Sequence, residues 1–187
     1  ALIFIGRTAG EDKDNQAKEG SYLLTRTEES MIGLVCSLFE NTAVILNTGN
    51  IIDMRWVGRC HPKAVLYVWQ GGQEGGRGTA DVLLGRVSPS GKLPDTIAYE
   101  IADYPSTVNY GNEMCNCYEE DIYVGYRYFE TFAKGRVLYP FGYGLSYTTF
   151  RIDETALGRR EAAVSVRVRV TNTGEMPGKE VVQVYCE

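Results

Sequence analysis

A short acidic segment carries the residues of this sequence that are best suited to acid–base chemistry. Glu11, Asp12 and Asp14 come shortly after residues 1–5, an apolar run that is typical of a buried β-strand. In open α/β sheets, ligands bind beyond the carboxyl ends of the strands. Neighbouring carboxylates raise one another's pKa, and a general acid needs a carboxyl group that is protonated near neutral pH. The pattern alone still favours the simpler interpretation, a solvated acidic loop.

Two other segments suggest chemistry but lack the motifs that it requires. The glycine-rich stretch at 70–78 matches neither common phosphate-binding motif, so it favours close packing at a strand-to-helix turn. Ser88, Ser90 and Ser146 are conceivable nucleophiles, but none lies in a G-x-S-x-G motif and the chain has one histidine, His61. The sequence therefore argues against both phosphate binding and serine hydrolysis.

The cysteines indicate free thiols rather than a disulfide framework. Their number is odd and their spacing irregular: Cys36, Cys60, Cys115, Cys117 and Cys186. The pair at 115 and 117 resembles a metal or redox site, but no second cluster stands at zinc spacing, so ordinary loop cysteines are favoured. Free thiols and the lack of an Asn-x-Ser/Thr sequon predict a cytoplasmic location. We predict no metal and no organic cofactor.

Composition limits the partners that the chain can have. It has 187 residues and a formal net charge of −5, with 44% hydrophobic residues. That is enough for a core, and the length allows one domain plus part of another. The acidic balance makes nucleic acid or an anionic membrane a poor partner. The apolar runs are too short to span a bilayer, and no signal peptide is visible. Because the chain opens inside an apparent strand, we expect its natural N-terminus to lie upstream.

The elements in the first 150 residues predict an α/β domain with a largely parallel sheet. Residues 1–5, 43–46 and 64–69 are strands, and the continuous apolar runs suggest strands that are buried on both faces. Thr25 and Glu28 have the spacing of a capping box, followed by one apolar helix face, namely Met31, Leu34, Val35, Leu38 and Phe39. Residues 71–78 are a turn and 79–84 a short helix. Residues 99–118 are a loop. The aromatic-rich stretch 118–150 is either packing between two domains, which we favour, or a sugar-stacking surface.

The pattern changes after Phe150. Valines at 164, 166, 168 and 170 alternate with polar residues, which predicts a half-exposed antiparallel strand. Residues 181–185 predict another strand. A β-sandwich needs about seven strands, so these are the first strands of a second, incomplete β domain. We therefore predict two domains, an α/β domain at 1–150 and a β domain at 151–187.

Several short motifs, taken in order, resemble the C-terminal part of glycoside hydrolase family 3, the family of β-glucosidases and β-xylosidases. The resemblance covers almost the whole chain, and each motif is weak alone. The motifs are Gly10-Glu11, residues 47–53 (NTGNIID), 69–76 (WQGGQEGG), 85–94 (GRVSPSGKLP), 118–130 (YEEDIYVGYRYFE), 140–150 (PFGYGLSYTTF), 170–174 (VTNTG) and 178–185 (GKEVVQVY).

The resemblance implies both a fold and an activity. The fold is a three-layer α/β sandwich, here lacking its first strands, followed by the start of a fibronectin type III-like domain. The activity is retaining hydrolysis of terminal, non-reducing β-linked sugars, with β-glucosidase ahead of β-xylosidase. The resemblance places the acid/base glutamate at Glu11. A (β/α)8 barrel domain, on the same or another polypeptide, supplies the aspartate nucleophile, so this chain alone is expected to be inactive.

The acid loop departs from the family pattern at two positions. Asp12 replaces a usual glycine, and Asn15 stands where arginine is common. An acidic neighbour raises the pKa of Glu11, which suits an acid catalyst. The departures also leave open that the acid role has moved to Glu19 or has been lost. A non-catalytic sugar-binding or domain-interface module is the alternative function, and a flavodoxin-like nucleotide binder is a distant third.

Overall fold

The computed structural model describes residues 1–8, 14–112, 114–161 and 163–185. The chain forms two compact units. Unit 1 consists of Ala1–Gly76 with Leu93–Gly142, and unit 2 of Arg77–Lys92 with Tyr143–Glu187. The predicted domain division at residue 150 stays a prediction.

Unit 1 is built on a parallel sheet, as the alternation of strands and helices predicts. Its strands are β1 (Leu2–Gly6), β2 (Ala43–Asn47) and β3 (Ala64–Tyr67), paired in the order β1-β2-β3. Within β2, Val44, Ile45 and Leu46 have no exposed surface. The central strand is therefore buried on both faces, as expected for a parallel sheet.

The first strand is only half buried, which corrects the prediction that its apolar run is covered on both faces. In the described sheet β1 is an edge strand, and its residues alternate between buried and exposed. Ile3 and Ile5 lie in the core, whereas Leu2 and Phe4 are 58% and 61% exposed. An apolar run shows that both faces tolerate burial, but the neighbouring elements decide which face is covered.

The first helix, α1 (Arg26–Leu38), begins with the predicted capping box. The Thr25 hydroxyl accepts from the backbone N–H of Glu28, and the Glu28 carboxylate accepts from the backbone N–H of Thr25. Of the helix residues only Ile32 is fully buried, and it is not a member of the predicted apolar face. Val35, which is a member, packs partly against the core. The other members of the apolar face are exposed by 40–68%, namely Met31, Leu34, Leu38 and Phe39. The periodicity thus predicts the helix correctly, but the sheet covers only one edge of its apolar face.

The sequence patterns miss several short elements of unit 1. One of them is helix α2 (Trp56–Cys60). The end of the unit forms a small antiparallel pair, β4 (Ile97–Ala98) and β5 (Val137–Tyr139), with α4 (Tyr126–Phe132) before β5. The loop predicted at 99–118 contains short 3-10 helices at Ile101–Asp103 and Pro105–Val108. These elements are too short for a periodic pattern to be recognised, and buried side chains such as Trp56 and Phe129 hold them in place.

Helix α3 (Gly75–Leu83) begins four residues earlier than predicted, inside the glycine-rich stretch. The predicted turn is therefore shorter and ends before Gly75. Gly75, Gly76 and Gly78 lie within this helix although glycine has a low helix propensity. Close packing, as predicted, is present at Gly71, where an added Cβ would lie 2.7 Å from the Cα of Gly75.

Unit 2 contains the antiparallel β structure predicted after Phe150. Strands β6 (Phe150–Arg160) and β7 (Ala163–Asn172) form a hairpin whose register pairs Phe150 with Asn172. The strand predicted at 181–185 is wrong, because this stretch has no strand structure in the described residues. A β-strand needs a hydrogen-bonding partner, and no partner pairs with 181–185 in the described part of the chain. The predicted combination of a parallel α/β sheet with later antiparallel strands is confirmed.

No helix in the described ranges is long and apolar enough to cross a membrane.

Candidate active site

The carboxyl ends of the three parallel strands lie along one edge of the sheet in unit 1. There β1 leads into Arg7, β2 leads into Thr48 and β3 leads into Val68. The backbone N–H of Arg7 donates to the Asn47 carbonyl at 3.1 Å, which continues the pairing of β1 with β2 past the strand end. This edge is where open α/β sheets bind ligands, and the acidic segment follows β1 from it.

An ion pair fixes the chain where it leaves β1. The Arg7 guanidinium donates to both carboxylate oxygens of Glu28, from Nη1 at 2.6 Å and from Nη2 at 2.7 Å. Both side chains are largely buried, with 14% and 22% of their surface exposed. Burial opposes ionisation of Glu28, but the hydrogen bonds from Arg7 and Thr25 outweigh burial and lower its pKa. The start of the acidic segment is therefore tied to the N-terminus of α1.

The other end of the acidic segment is fixed by Asp14 and Asn15. The Asn15 side-chain amide donates to the Ile51 carbonyl at 2.8 Å, in the loop after β2. A hydrogen bond with the Asp14 carboxylate raises the pKa of the exposed Tyr110 phenol. The asparagine that departs from the family pattern thus joins the chain after the acidic segment to a neighbouring loop.

Glu11 lies outside the described residues, as do the other residues at 9–13. Glu19, the alternative acid, lies at the start of α1. Its carboxylate accepts from the backbone N–H of Arg26 at 3.2 Å and pairs with the Arg26 side chain at 3.3 Å. Glu19 therefore serves as an exposed partner of the first helical turn.

A cluster of neutral hydrogen bonds shapes the loop after β2. The Tyr67 hydroxyl donates to the Asn50 carbonyl at 2.7 Å, and the buried Thr48 hydroxyl lies 3.0 Å from the Tyr67 oxygen. Burial raises the pKa of Tyr67 to about 12, so its phenol stays protonated at neutral pH and acts as a donor. The Asn47 side-chain amide donates to the Trp69 carbonyl at 2.8 Å, which joins the ends of β2 and β3.

The last residue of the NTGNIID motif fixes the exit from the same loop. Asp53 is 5% exposed, and its Oδ1 accepts from the Arg55 backbone N–H at 3.0 Å and from the Arg55 Nε at 2.9 Å. Its own backbone N–H donates to the Tyr22 carbonyl at 2.8 Å. These contacts and the hydrogen bond from Asn15 to the Ile51 carbonyl hold the loop at 47–53 in place.

The predicted serine candidates have structural roles in unit 2. Ser88 and Ser146 share a hydrogen bond of 2.8 Å between their Oγ atoms, and the backbone N–H of Tyr147 donates to Ser88. Ser90 accepts from the backbone N–H of Lys179. Each of these hydroxyls therefore has a hydrogen-bond partner within unit 2.

Part of the aromatic-rich stretch packs within unit 1, and its predicted role in packing between domains stays a prediction. Phe129 is 1% exposed and packs edge-on against Tyr104 and Tyr128. Tyr118 is 88% exposed, so the stretch also presents aromatic surface. Within the described residues, no three His, Cys, Asp or Glu side chains are grouped so that they could hold a metal ion. A cleft of about 550 Å³ lies beside α2 and is lined in part by His61. Because His61 precedes the first residue of β3, this cleft lies at the amino ends of the strands.

Sequence reasoning missed Arg7, Tyr67 and Tyr110 as residues that shape this site. Arg7 stands directly after an apolar strand, and this position was a usable signal. The contacts of Tyr67 with Thr48 and of Tyr110 with Asp14 join distant parts of the chain, so no local pattern reveals them.

The family model for the glycosyl hydrolase family 3 C-terminal domain matches residues 1–147. The chain therefore belongs to glycosyl hydrolase family 3.

The relatives agree with this family. A β-glucosidase from Ruminococcus albus is 57% identical over 100% of this chain, which spans 20% of that protein. β-Glucosidase A from Butyrivibrio fibrisolvens is 44% identical over 99% of this chain and 27% of its own length. The solved β-glucosidase from Paenibacillus barengoltzii has a TM-score of 0.88 at 54% identity. The match covers 92% of this chain and 20% of the Paenibacillus chain. The chain thus spans about a fifth to a quarter of these relatives.

Proposed function

We propose that this chain is part of a retaining β-glycosidase that removes terminal, non-reducing β-linked sugars, with a β-glucoside as its substrate. The single observation that carries the proposal is the similarity to proteins named β-glucosidase over the whole chain. A related β-glucosidase, 3B from Thermotoga neapolitana, has been solved in complex with glucose and is 41% identical to this chain. β-Xylosidase activity is the second expectation within the same reaction class.

Glu11 is the proposed general acid/base. The anchors that flank its segment support this assignment. Arg7 and Asn15 fix the two ends of the segment at the carboxyl edge of the sheet, through Glu28 and the Ile51 carbonyl. A segment held at both ends can present a carboxyl group in a defined place, and such positioning is a prerequisite of acid–base catalysis.

The mechanism uses two carboxyl groups. Glu11 protonates the leaving glycosidic oxygen while an aspartate from a barrel domain attacks the anomeric carbon. Glu11 then acts as a base and activates water against the glycosyl-enzyme intermediate. In retaining enzymes the two carboxyl groups lie about 5–5.5 Å apart. This chain contributes only the acid/base side, so we expect it to be inactive without the barrel domain.

The test compares Glu11→Gln with Glu19→Gln in an enzyme that contains this chain and its barrel domain. The substrates are aryl β-glucosides and aryl β-xylosides with good and poor leaving groups. Loss of general acid catalysis lowers the rate by about 10²–10⁴-fold, and the loss is largest for poor leaving groups because these need protonation most. Glu19→Gln serves as the control and leaves the rate unchanged.

Two results would contradict the proposal. The first is an equal loss for good and poor leaving groups in Glu11→Gln, because it would show that residue 11 does not protonate the leaving group. The second is an inverted anomer as the first product, which NMR detects directly. Sugar binding without turnover in the presence of the barrel domain would instead support a non-catalytic sugar-binding module.

A further inference from the structure

Two exposed thiols lie side by side in the loop that precedes α4. Cys115 and Cys117 have their Sγ atoms 3.8 Å apart, and both side chains are exposed. Before them, the side-chain oxygen of Asn112 accepts from the backbone N–H groups of Met114 at 2.9 Å and of Cys115 at 3.2 Å. The glycosidase reaction uses neither thiol.

The other described cysteines are in a different environment. Cys36 and Cys60 are partly buried and pack against the core of unit 1. Burial is the main cause that raises the pKa of the Cys60 thiol. A thiol with a raised pKa has less of the thiolate that reacts with disulfides. The chain therefore contains an exposed pair of thiols and a protected pair, which serves as an internal comparison.

We propose that Cys115 and Cys117 form a redox-active dithiol that small disulfides, such as oxidised glutathione, convert into an intramolecular disulfide. One thiolate attacks a sulfur of the small disulfide, which forms a mixed disulfide and releases the first small thiol. The second cysteine then attacks the protein sulfur of the mixed disulfide and releases the second small thiol. The two protons of the cysteine thiols end on the two released thiols, and the two electrons lost by the cysteines reduce the small disulfide.

The geometry favours the second, ring-closing step. A disulfide requires Cα atoms about 4.4–6.8 Å apart, and residues separated by one position lie within about 7 Å of each other. The two Sγ atoms are 3.8 Å apart. They must therefore approach by about 1.8 Å to reach the S–S bond length of about 2.05 Å. A thiol held next to the mixed disulfide acts at a high effective concentration, which makes ring closure faster than attack by a second small thiol.

The experiment treats the folded 187-residue chain with oxidised glutathione and then analyses its tryptic peptides. The chain carries Cys186→Ser, which removes the one thiol that lies outside the described residues. Trypsin cuts after Lys92 and after Arg127, and no Lys or Arg stands between them. Both thiols therefore fall in one peptide. We expect this peptide to become lighter by two hydrogen atoms without retained glutathione.

Single variants test whether the two thiols act together. Cys115→Ser and Cys117→Ser should each retain one glutathione, because the resolving thiol is missing. Phenylarsine oxide, which bridges two neighbouring thiols with loss of water, should bind the parent chain and be lost from both single variants. Peptides with Cys36 and Cys60 should stay unmodified in the folded chain and react in urea, which shows that the reagent is sufficient.

Three results would overturn the proposal. The first is a parent peptide that keeps glutathione on both cysteines, because ring closure would then not occur. The second is no reaction at 115 and 117 while Cys36 and Cys60 react in urea. The third is oxidation of Cys36 and Cys60 in the folded chain as fast as oxidation of the exposed pair, because exposure would then not select the site.

Discussion

Replacing Glu28 by glutamine tests whether the Arg7–Glu28 pair holds the start of the acidic segment. The substitution keeps the size of the side chain and one oxygen acceptor, but it removes the charge that faces the Arg7 guanidinium. The pair has two short hydrogen bonds, at 2.6 and 2.7 Å, and its side chains are only 14% and 22% exposed. The Arg7 Nε is buried, and within the described residues it has no partner. Arg7 also donates to the neutral Gly6 carbonyl at 2.9 Å, but the charge of its guanidinium is balanced by Glu28.

The expected magnitude follows from this burial. Breaking a buried ion pair by removing one partner costs about 3–5 kcal/mol. Glutamine keeps one acceptor, so we expect Glu28→Gln to lower the free energy of unfolding by about 2–3 kcal/mol. A double-mutant cycle combines Glu28→Gln, Arg7→Met and the variant that carries both changes. It should give a coupling energy between the two side chains of about 1.5–2 kcal/mol. Urea unfolding followed by the fluorescence of Trp56, which is fully buried in unit 1, measures these values, with Trp69→Phe as the background.

The neighbouring helix position offers a matched control. Glu29 pairs with Arg59 at 2.6 Å, but these side chains are 41% and 51% exposed. Exposed pairs contribute about 0.2–1 kcal/mol, so the same cycle on Glu29 and Arg59 should give a clearly smaller coupling energy. Equal coupling in the two pairs would refute the reasoning, because burial would then not be the source of the Arg7–Glu28 interaction.

The same pair predicts a pH dependence of stability. The pKa of Glu28 is lower in the folded chain than its ordinary value, so the folded state prefers the ionised carboxylate. This contribution is fully present above the unfolded pKa of about 4.3 and is lost as the pH falls through the lower, folded pKa. Between neutral pH and that range, the difference in the free energy of unfolding between the parent and Glu28→Gln should stay constant. This difference should become smaller in more acidic solution.

Four further substitutions test the packing of unit 1. Ile32→Ala should lower the free energy of unfolding by about 2–5 kcal/mol, whereas Leu34→Ala, 61% exposed on the same helix, should change it by less than about 0.5 kcal/mol; comparable losses would mean that the exposed edge of the helix is covered. Tyr67→Phe should cost about 1–2 kcal/mol, because it removes the donor to a loop carbonyl, and an unchanged urea midpoint would contradict this role. Gly71→Ala places a Cβ 2.7 Å from the Cα of Gly75, so it should destabilise unit 1 by about 1–3 kcal/mol; a neutral result would show that this turn can move freely.

Local patterns predicted the elements of unit 1 that are long or strongly marked. The apolar runs at 43–46 and 64–69 predicted strands that the structure shows as Ala43–Asn47 and Ala64–Tyr67. The capping box predicted the start of α1 at the observed residue, because Thr25 and Glu28 interact within a single turn. Such features depend on neighbours in the sequence and can be recognised there.

The errors concern features that depend on distant partners. Residues 181–185 have strand-forming side chains but no partner strand in the described chain, so propensity alone did not make a strand. The apolar edge of α1 at Leu34 and Leu38 is exposed, although its periodicity is that of a buried helix face. Phe4 in β1 shows the same difference between a hydrophobic pattern and the surface that is actually covered.

The sequence by itself determined the family, the alternation of strands and helices, and the acidic segment after the first strand that carries Glu11. These depend on residue order, which the sequence contains completely. Only the tertiary structure decided that Arg7 and Asn15 anchor this segment, that Tyr67 and Thr48 shape the adjoining loop, and which apolar faces are buried. Each of these contacts joins residues that are far apart in the chain, so it forms only when the sheet brings the ends of its strands together.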